Sequence, residues 1–377
     1  MPYNNLVVIT RRQMVAAAAL GLAGCRPRRG SGFPGYAFVA DEEAQSLAVV
    51  NLTTFALERH IPLGASPTSV VADPGRAAVY ALTPLTGTLH EIDPKRMAVR
   101  RKIRLAQRLA AMRLAPEGGG LWVSSSEPQE MVRVALERFQ ADVRVPLPAA
   151  PAEFDLTADG RLCAVTHGAE GLVSFLDLKA GRMLGSVRAG ETTGVVRFRG
   201  DGKVVLVGDP AGRVVVVLDP ATQRVVTSLQ VAVRPAHFCF KPDGGEMFVT
   251  GEGVDAVVIL NPYNAEVAET ALAGRAPGAM AFSRSPEYLF VTNPPSGDVT
   301  ILDPETRRVV GVVAVGTEPS YVTITPDDEY ALILNRRSGT MAVVRPAAVV
   351  RGRARGAPLY TTIPVGPKPV AAAVLAV

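Results

Sequence analysis

Tyr288-Leu-Phe-Val-Thr-Asn293, Pro294-Pro-Ser-Gly297, Val299-Thr-Ile-Leu302 and Asp303-Pro-Glu-Thr306 follow one another as strand, loop, strand and turn. The β-branched and aromatic residues favour extended chain, and the Pro, Gly, Asn and Asp clusters between them interrupt it. Ala279 to Ser283 before this stretch and Arg308 to Val315 after it continue the pattern, with a turn at Ser285-Pro286-Glu287. The segment predicts four short antiparallel strands, named a to d in chain order.

The second strand recurs along the whole chain: Tyr36 to Asp41, Tyr80 to Thr83, Leu121 to Ser124, Leu162 to His167, Val204 to Asp209, Met247 to Thr250 and Tyr330 to Asn335. With Val39, Leu82, Val123, Val165, Val207, Val249, Val291 and Ile333 as equivalents, the spacings are 43, 41 and then 42 throughout. Turns recur with the same period. Asp73-Pro74-Gly75, Asp159-Gly160, Asp201-Gly202, Asp243-Gly244 and Asp327-Asp328 join a to b, and Asp93-Pro94, Asp219-Pro220 and Asp303-Pro304 join c to d. Four-stranded units repeated without helices predict an all-β, eight-bladed β-propeller. Length alone suggests two domains, but a closed array of equal units is one. The last a strand falls at the C-terminus, Val370 to Val377, so it is expected to pair with the strand near Tyr36 in a composite blade, which leaves no open edge.

The N-terminus reads differently. Arg11 and Arg12 precede an apolar run, Val15 to Leu22, that ends in Leu22-Ala23-Gly24-Cys25. That order is the pattern of an export signal, and the run is too short for a stable membrane span. The segment resembles a bacterial twin-arginine signal closing in a lipobox, which implies an acylated Cys25 and a periplasmic or cell-surface lipoprotein; a cleaved signal with an incidental cysteine is the alternative. Residues 1–25 are read as signal, 26–35 as a flexible tether and 36–377 as the propeller. The formal charge is +5, and five arginines lie in the first thirty residues. The body is thus close to neutral, which argues against a nucleic-acid partner.

Tyr288-Leu-Phe-Val-Thr-Asn293, Val299 to Thr306 and Val310-Gly-Val-Val-Ala-Val-Gly316 resemble the YVTN-type β-propeller repeat, and the likeness runs over about residues 36–377. That wider group, as the resemblance implies, includes exported proteins of unknown role, lactonase-like enzymes, quinoprotein-like dehydrogenase subunits and eight-bladed haem d1-binding propellers. Eight units point toward the last of these. No ligand residue of that group is matched by a motif here.

Chemical motifs are missing. The chain has no Cys-x-x-Cys-His, G-x-S-x-G, P-loop or His-Glu-x-x-His. Cys163 and Cys239 fall in different units and are expected as separate thiols. His60 and His90 sit in d and c strands, as ordinary solvated or packed residues. His167 closes a b strand and His237 opens an a strand, so both can face the channel mouth. Steps of 42 from Ser69 give Ala111, Glu153, Val195, His237, Ala279 and Tyr321, one ring of equivalent positions. A second ring holds Asp41, Ser125, His167, Asp209, Gly251, Asn293 and Asn335, with Glu252 and Arg336 alongside. Asn and Asp there also suit plain strand capping. Glu153, His167, His237, Tyr321 and Arg336 are the candidate ligand-binding set. The expectation is a monomeric binding module, without cofactor or metal, anchored through Cys25 and taking a protein or small ligand at its channel face. A cofactor-handling or enzymatic propeller of haem d1, quinoprotein or lactonase type is the alternative, and a purely structural envelope protein is the third class. Arg351, Arg353 and Arg355, in the longest c–d loop, are either solvated or set against anionic head groups.

Overall fold

A computed structural model describes residues 32–349 and 358–377. Arg11, Arg12, Cys25 and the arginines at 351, 353 and 355 lie outside the described residues. Eight four-stranded antiparallel sheets make an eight-bladed propeller. Blade 1 is composite: β1 (Gly35–Asp41), β2 (Ser46–Asn51) and β3 (Ala56–Pro62) are joined by the C-terminal β32 (Pro369–Ala376) in the order β3-β2-β1-β32. The other innermost strands are β4 (Ser69–Asp73), β8 (Arg108–Leu114), β12 (Glu153–Leu156), β16 (Val196–Phe198), β20 (Arg234–Phe240), β24 (Met280–Arg284) and β28 (Pro319–Ile324), which open blades 2 to 8.

The strand pairing sharpens the repeat. Ala81 faces His90 across the b–c pair as Val123 faces Val132 and Val39 faces Ala48, so Ala81, not Leu82, is the equivalent residue. With that correction every step is 42. The same period governs a bulge in all eight c–d pairs, from Val49/Val50 to Val343/Val344. A bulge adds right-handed twist, so each blade splays its outer strand in the same way. The c–d turn also places a left-handed residue at a fixed position: Phe55, Met97, Phe139, Gly181, Gln223, Ala265 and Arg307. Side chains pay for that strain because the preceding Asp or Asn accepts the turn's amides, as Asp303 does from Glu305 and Thr306. The period is broken once. The d strand of blade 8, β31 (Leu359–Pro364), pairs Thr362 where the repeat would put residue 354, and a single helical turn, Pro346–Val349, lies in the longer connection.

The core is the set of interfaces between blades. Strands b and c are buried almost throughout, and each cluster joins two neighbours, as where Trp122 and Met131 of blade 3 meet Phe154, Cys163 and Leu176 of blade 4. The closing seam is built like the rest: Ala37, Val39 and Val50 of blade 1 pack with Leu332, Leu334 and Val343 of blade 8. Phe33 belongs to this seam and β1 starts at Gly35, so the folded body begins earlier than Tyr36. Short 3-10 turns at Pro74–Arg76 and Pro84–Thr86 are further departures from the helix-free reading.

Candidate functional site in the channel

The innermost strands line a central channel. Their centres, Val70, Met112, Phe154, Val196, Phe238, Met280, Val322 and Ala372, wedge between blades, and all but Met280 are buried. Alternation then turns the residues on either side of each centre to the opposite face. The preceding ring is Ser69, Ala111, Glu153, Val195, His237, Ala279, Tyr321 and Ala371. The following ring is Val71, Arg113, Asp155, Arg197, Cys239, Ala281, Thr323 and Ala373. The wall is thereby divided. Blades 3 to 6 carry every charged or titratable residue of the two rings except Tyr321.

Glu153 is the hub of the polar half. A single oxygen, Oε1, accepts from Arg113 Nη2 at 3.1 Å and from Arg197 Nη1 at 2.6 Å. Arg113 Nε donates to the carbonyl of Phe154 at 2.7 Å, and its guanidinium lies over the Phe154 ring. Asp155 accepts the Phe198 amide at 2.8 Å and stands 3.7 Å from Arg113 Nε. All four side chains keep between 16% and 33% of their surface open, so they are lumen groups and not core pairs. Burial pushes the Asp155 carboxyl up, against the opposing pull of the two arginines. Burial likewise lowers Arg113, aided by Arg197, whereas for Arg197 the attraction of Glu153 and Asp155 outweighs burial and raises it. Arg113 is therefore the less compensated cation.

His237 reaches the lumen through a local device. The β20 pairing shifts register between Pro235 and His237, and the bulged Ala236 sends His237 into open channel space. Gly251 is required opposite, because a Cβ there would sit 1.8 Å from the Arg234 carbonyl. The imidazole is exposed to the channel yet ringed by protein atoms, and that burial lowers its pKa; Glu153 opposes the shift and Arg197 adds to it. His237 is thus held in its neutral form. Cys239 is half-buried, and burial pushes its thiol up to about 12; Cys163 is buried and shifted the same way. Both are free thiols, as expected, and poor nucleophiles.

The second ring does not form a mouth. Asp41, Ser125, His167, Asp209, Asn293 and Asn335 are all buried, as is Thr83 at the same register. They tie hairpins and loops together: His167 Nε2 meets Ser174 Oγ at 2.7 Å, Thr83 Oγ1 meets His90 Nε2 at 3.0 Å, and Asn293 donates to Thr300 at 2.8 Å. Asp209 accepts the amides of Glu191, Thr192, Ala211 and Gly212. The expectation that His167 faces the opening is corrected: it is buried, and its Nδ1 lies 3.0 Å from the Ala149 carbonyl. Tyr321 is also diverted, its hydroxyl donating to the Ala372 carbonyl at 3.0 Å and so holding the closing strand. Arg336 is a rim residue, 3.6 Å from Glu42 and 4.0 Å from Glu318. Of the five sequence candidates, Glu153 and His237 come together. Arg113, Asp155 and Arg197 were missed, although steps of 42 from Val71 run straight through them.

Toward the a–b turns lies an apolar collar formed by Ala72, Leu114, Leu156 and Val374. A cavity of about 500 Å³ opens there, with Arg113 and Asp155 in its wall. Among the described residues no group of three His, Cys, Asp or Glu is placed to hold a metal ion, and no helix is long and apolar enough to cross a membrane.

No family model and no curated protein matches the chain, so the YVTN repeat is not supported by a family match. Solved structures do match. Dihydro-heme d1 dehydrogenase NirN, in complex with DHE, aligns over 94% of this chain and 78% of its own at 14% identity, with a TM-score of 0.73. Kuenenia stuttgartiensis hydrazine synthase aligns over 74% of this chain and 96% of that one at 19% identity, with a TM-score of 0.58. At such identities the likeness establishes the propeller fold and nothing finer.

Proposed function

We propose that this chain is an exported, lipid-anchored propeller that binds a small ligand in its channel without transforming it. The observation that carries the reading is the convergence of Arg113, Glu153, Asp155, Arg197 and His237 from four successive blades on one side of an otherwise apolar lumen. A concave, mostly apolar space with a few placed polar groups is the usual form of a ligand site. The residues of a nucleophilic mechanism are missing from it: no Ser or Thr is paired with a base there, and the Cys239 thiol is kept protonated. Anchoring rests on the lipobox at Cys25 and on Arg11 and Arg12.

The test is protein purified from its own host. Solvent extraction and mass spectrometry should recover a compound near one per chain from the wild type and at least tenfold less from His237→Ala, with little change in Tm. A variant that retains the compound, or a wild type that carries none, overturns the reading.

A second reading has its own support in the neutral His237 imidazole, the form that binds iron, and in the likeness to a propeller solved with DHE. A haem-type group would supply redox chemistry, with His237 offering a nitrogen and Arg113 and Arg197 facing acidic substituents. The same preparation decides it: visible absorbance lost in His237→Ala supports this reading, and a colourless protein excludes it.

A further inference from the structure

We propose that the channel takes an amphipathic carboxylic acid, an acyl chain ending in a single carboxylate, which enters from the a–b end with its acid group toward Arg113 and its chain along the apolar collar. The proposal rests on the channel-binding reading above and names its ligand class. Three observations carry it, beginning with the cavity of about 500 Å³ at that end, whose walls are Val71, Ala72, Leu114, Leu156, Ala373 and Val374. Apart from Arg113 and Asp155, this wall has no charged side chain. A ligand filling it must be apolar along most of its length.

Charge supplies the second observation. Arg113 and Arg197 share one oxygen of Glu153, and Asp155 stands too far from Arg113 Nε for a hydrogen bond, that donor being spent on the Phe154 carbonyl. Among the described residues, Nη1 of Arg113 makes no hydrogen bond, so the guanidinium keeps a donor for a further acceptor. One spare donor matches one incoming carboxylate. A dianion would face Glu153 and Asp155 as well as the arginines.

Direction is the third observation. Pro116, in the a–b turn after β8, lines the same cavity, so the apolar end opens on the a–b face. The described chain enters on that face too, where the Val377 amide donates to the Pro34 carbonyl at 3.2 Å.

The experiment uses the full chain with Cys25→Ser, so that no detergent competes, and titrates decanoate, decanol and decyltrimethylammonium by calorimetry. Decanoate should bind saturably near one per chain, at least tenfold tighter than the other two. Arg113→Met should remove that preference, and Ala72→Trp, which fills the collar without touching the charges, should weaken decanoate at least tenfold with Tm retained. Equal binding of decanoate and decanol, or unchanged binding in either variant, overturns the proposal. If decanoate does not bind while host-purified protein still carries a compound that His237→Ala loses, the ligand class is wrong and the channel-binding reading stands; if both fail, both fall.

Discussion

The channel wall of blades 3 to 6 and that of blades 7, 8, 1 and 2 are built from the same four-stranded blade and differ in their lumen side chains. At the two lumen positions of each innermost strand, the first half carries Ala111, Arg113, Glu153, Asp155, Val195, Arg197, His237 and Cys239. The second carries Ala279, Ala281, Tyr321, Thr323, Ala371, Ala373, Ser69 and Val71. Bulges occur in both halves, ahead of His237 and ahead of Tyr321, yet one delivers an imidazole to the lumen and the other seats a phenol that holds the closing strand. A repeat therefore constrains the positions that wedge between blades and leaves the lumen positions free. Specialisation costs little where, as at Arg113, Glu153, Arg197 and His237, the lumen side chain stands outside the clusters between blades.

The largest test of this division removes the closing strand. Deleting residues 369–377 takes β32 from the apolar half, exposes the β1 edge and uncovers Val39, Val50, Leu332 and Leu334. Loss of the cooperative transition by calorimetry, with aggregation, is the expected outcome; a soluble truncation that melts like the full chain breaks the closure model.

Acid should strike both halves, through histidines outside the lumen. Burial, with Lys102 adding, lowers His90 of blade 2 to about 4, and burial lowers His167 of blade 4. A histidine with a depressed folded pKa contributes its full stability above the unfolded value near 6.5 and loses it as pH falls toward the folded one. Stability should thus decline between about pH 6.5 and 4, by on the order of 3 kcal/mol for His90 alone. Urea melts of His90→Gln with His167→Gln should show a lower plateau at pH 7 and a flatter profile. An unchanged slope would move the acid sensitivity to the lumen.

The finest test compares Tyr321 with His237, two residues at the same register in opposite halves. Tyr321→Phe deletes one hydrogen bond to the closing strand and should cost about 1 kcal/mol with ligand retained. His237→Ala should do the reverse. If Tyr321→Phe is neutral in stability and loses ligand, the apolar half takes part in binding and the division fails.

The propeller was legible because period, turn residues and strand alternation all agree over the whole body. Its composite blade followed from counting strands. The site was half legible: Glu153 and His237 stand out in one ring, while Arg113, Asp155 and Arg197 lie in the next ring along the same strands and were not sampled. His167 misled because Asn, Asp, Thr and His at the end of a b strand look alike whether they face water or satisfy a hairpin. Asn293 and Asn335 show which it is: both are buried, Asn293 bonded to Thr300 of its own blade and Asn335 to Thr340 of its blade and to the Val315 carbonyl of the preceding connection.

The sequence by itself determined the number of blades, their strand order and the way the ring closes, since these depend on local chain propensity and on a period that any eight equal units must share. Tertiary structure decided which polar residues see the lumen. Residues far apart in the chain meet only when the ring curls, and whether a side chain such as Tyr321 or His237 spends its polar atom on the fold or offers it to a ligand depends on what stands within about 3 Å, a distance that no spacing in the sequence encodes.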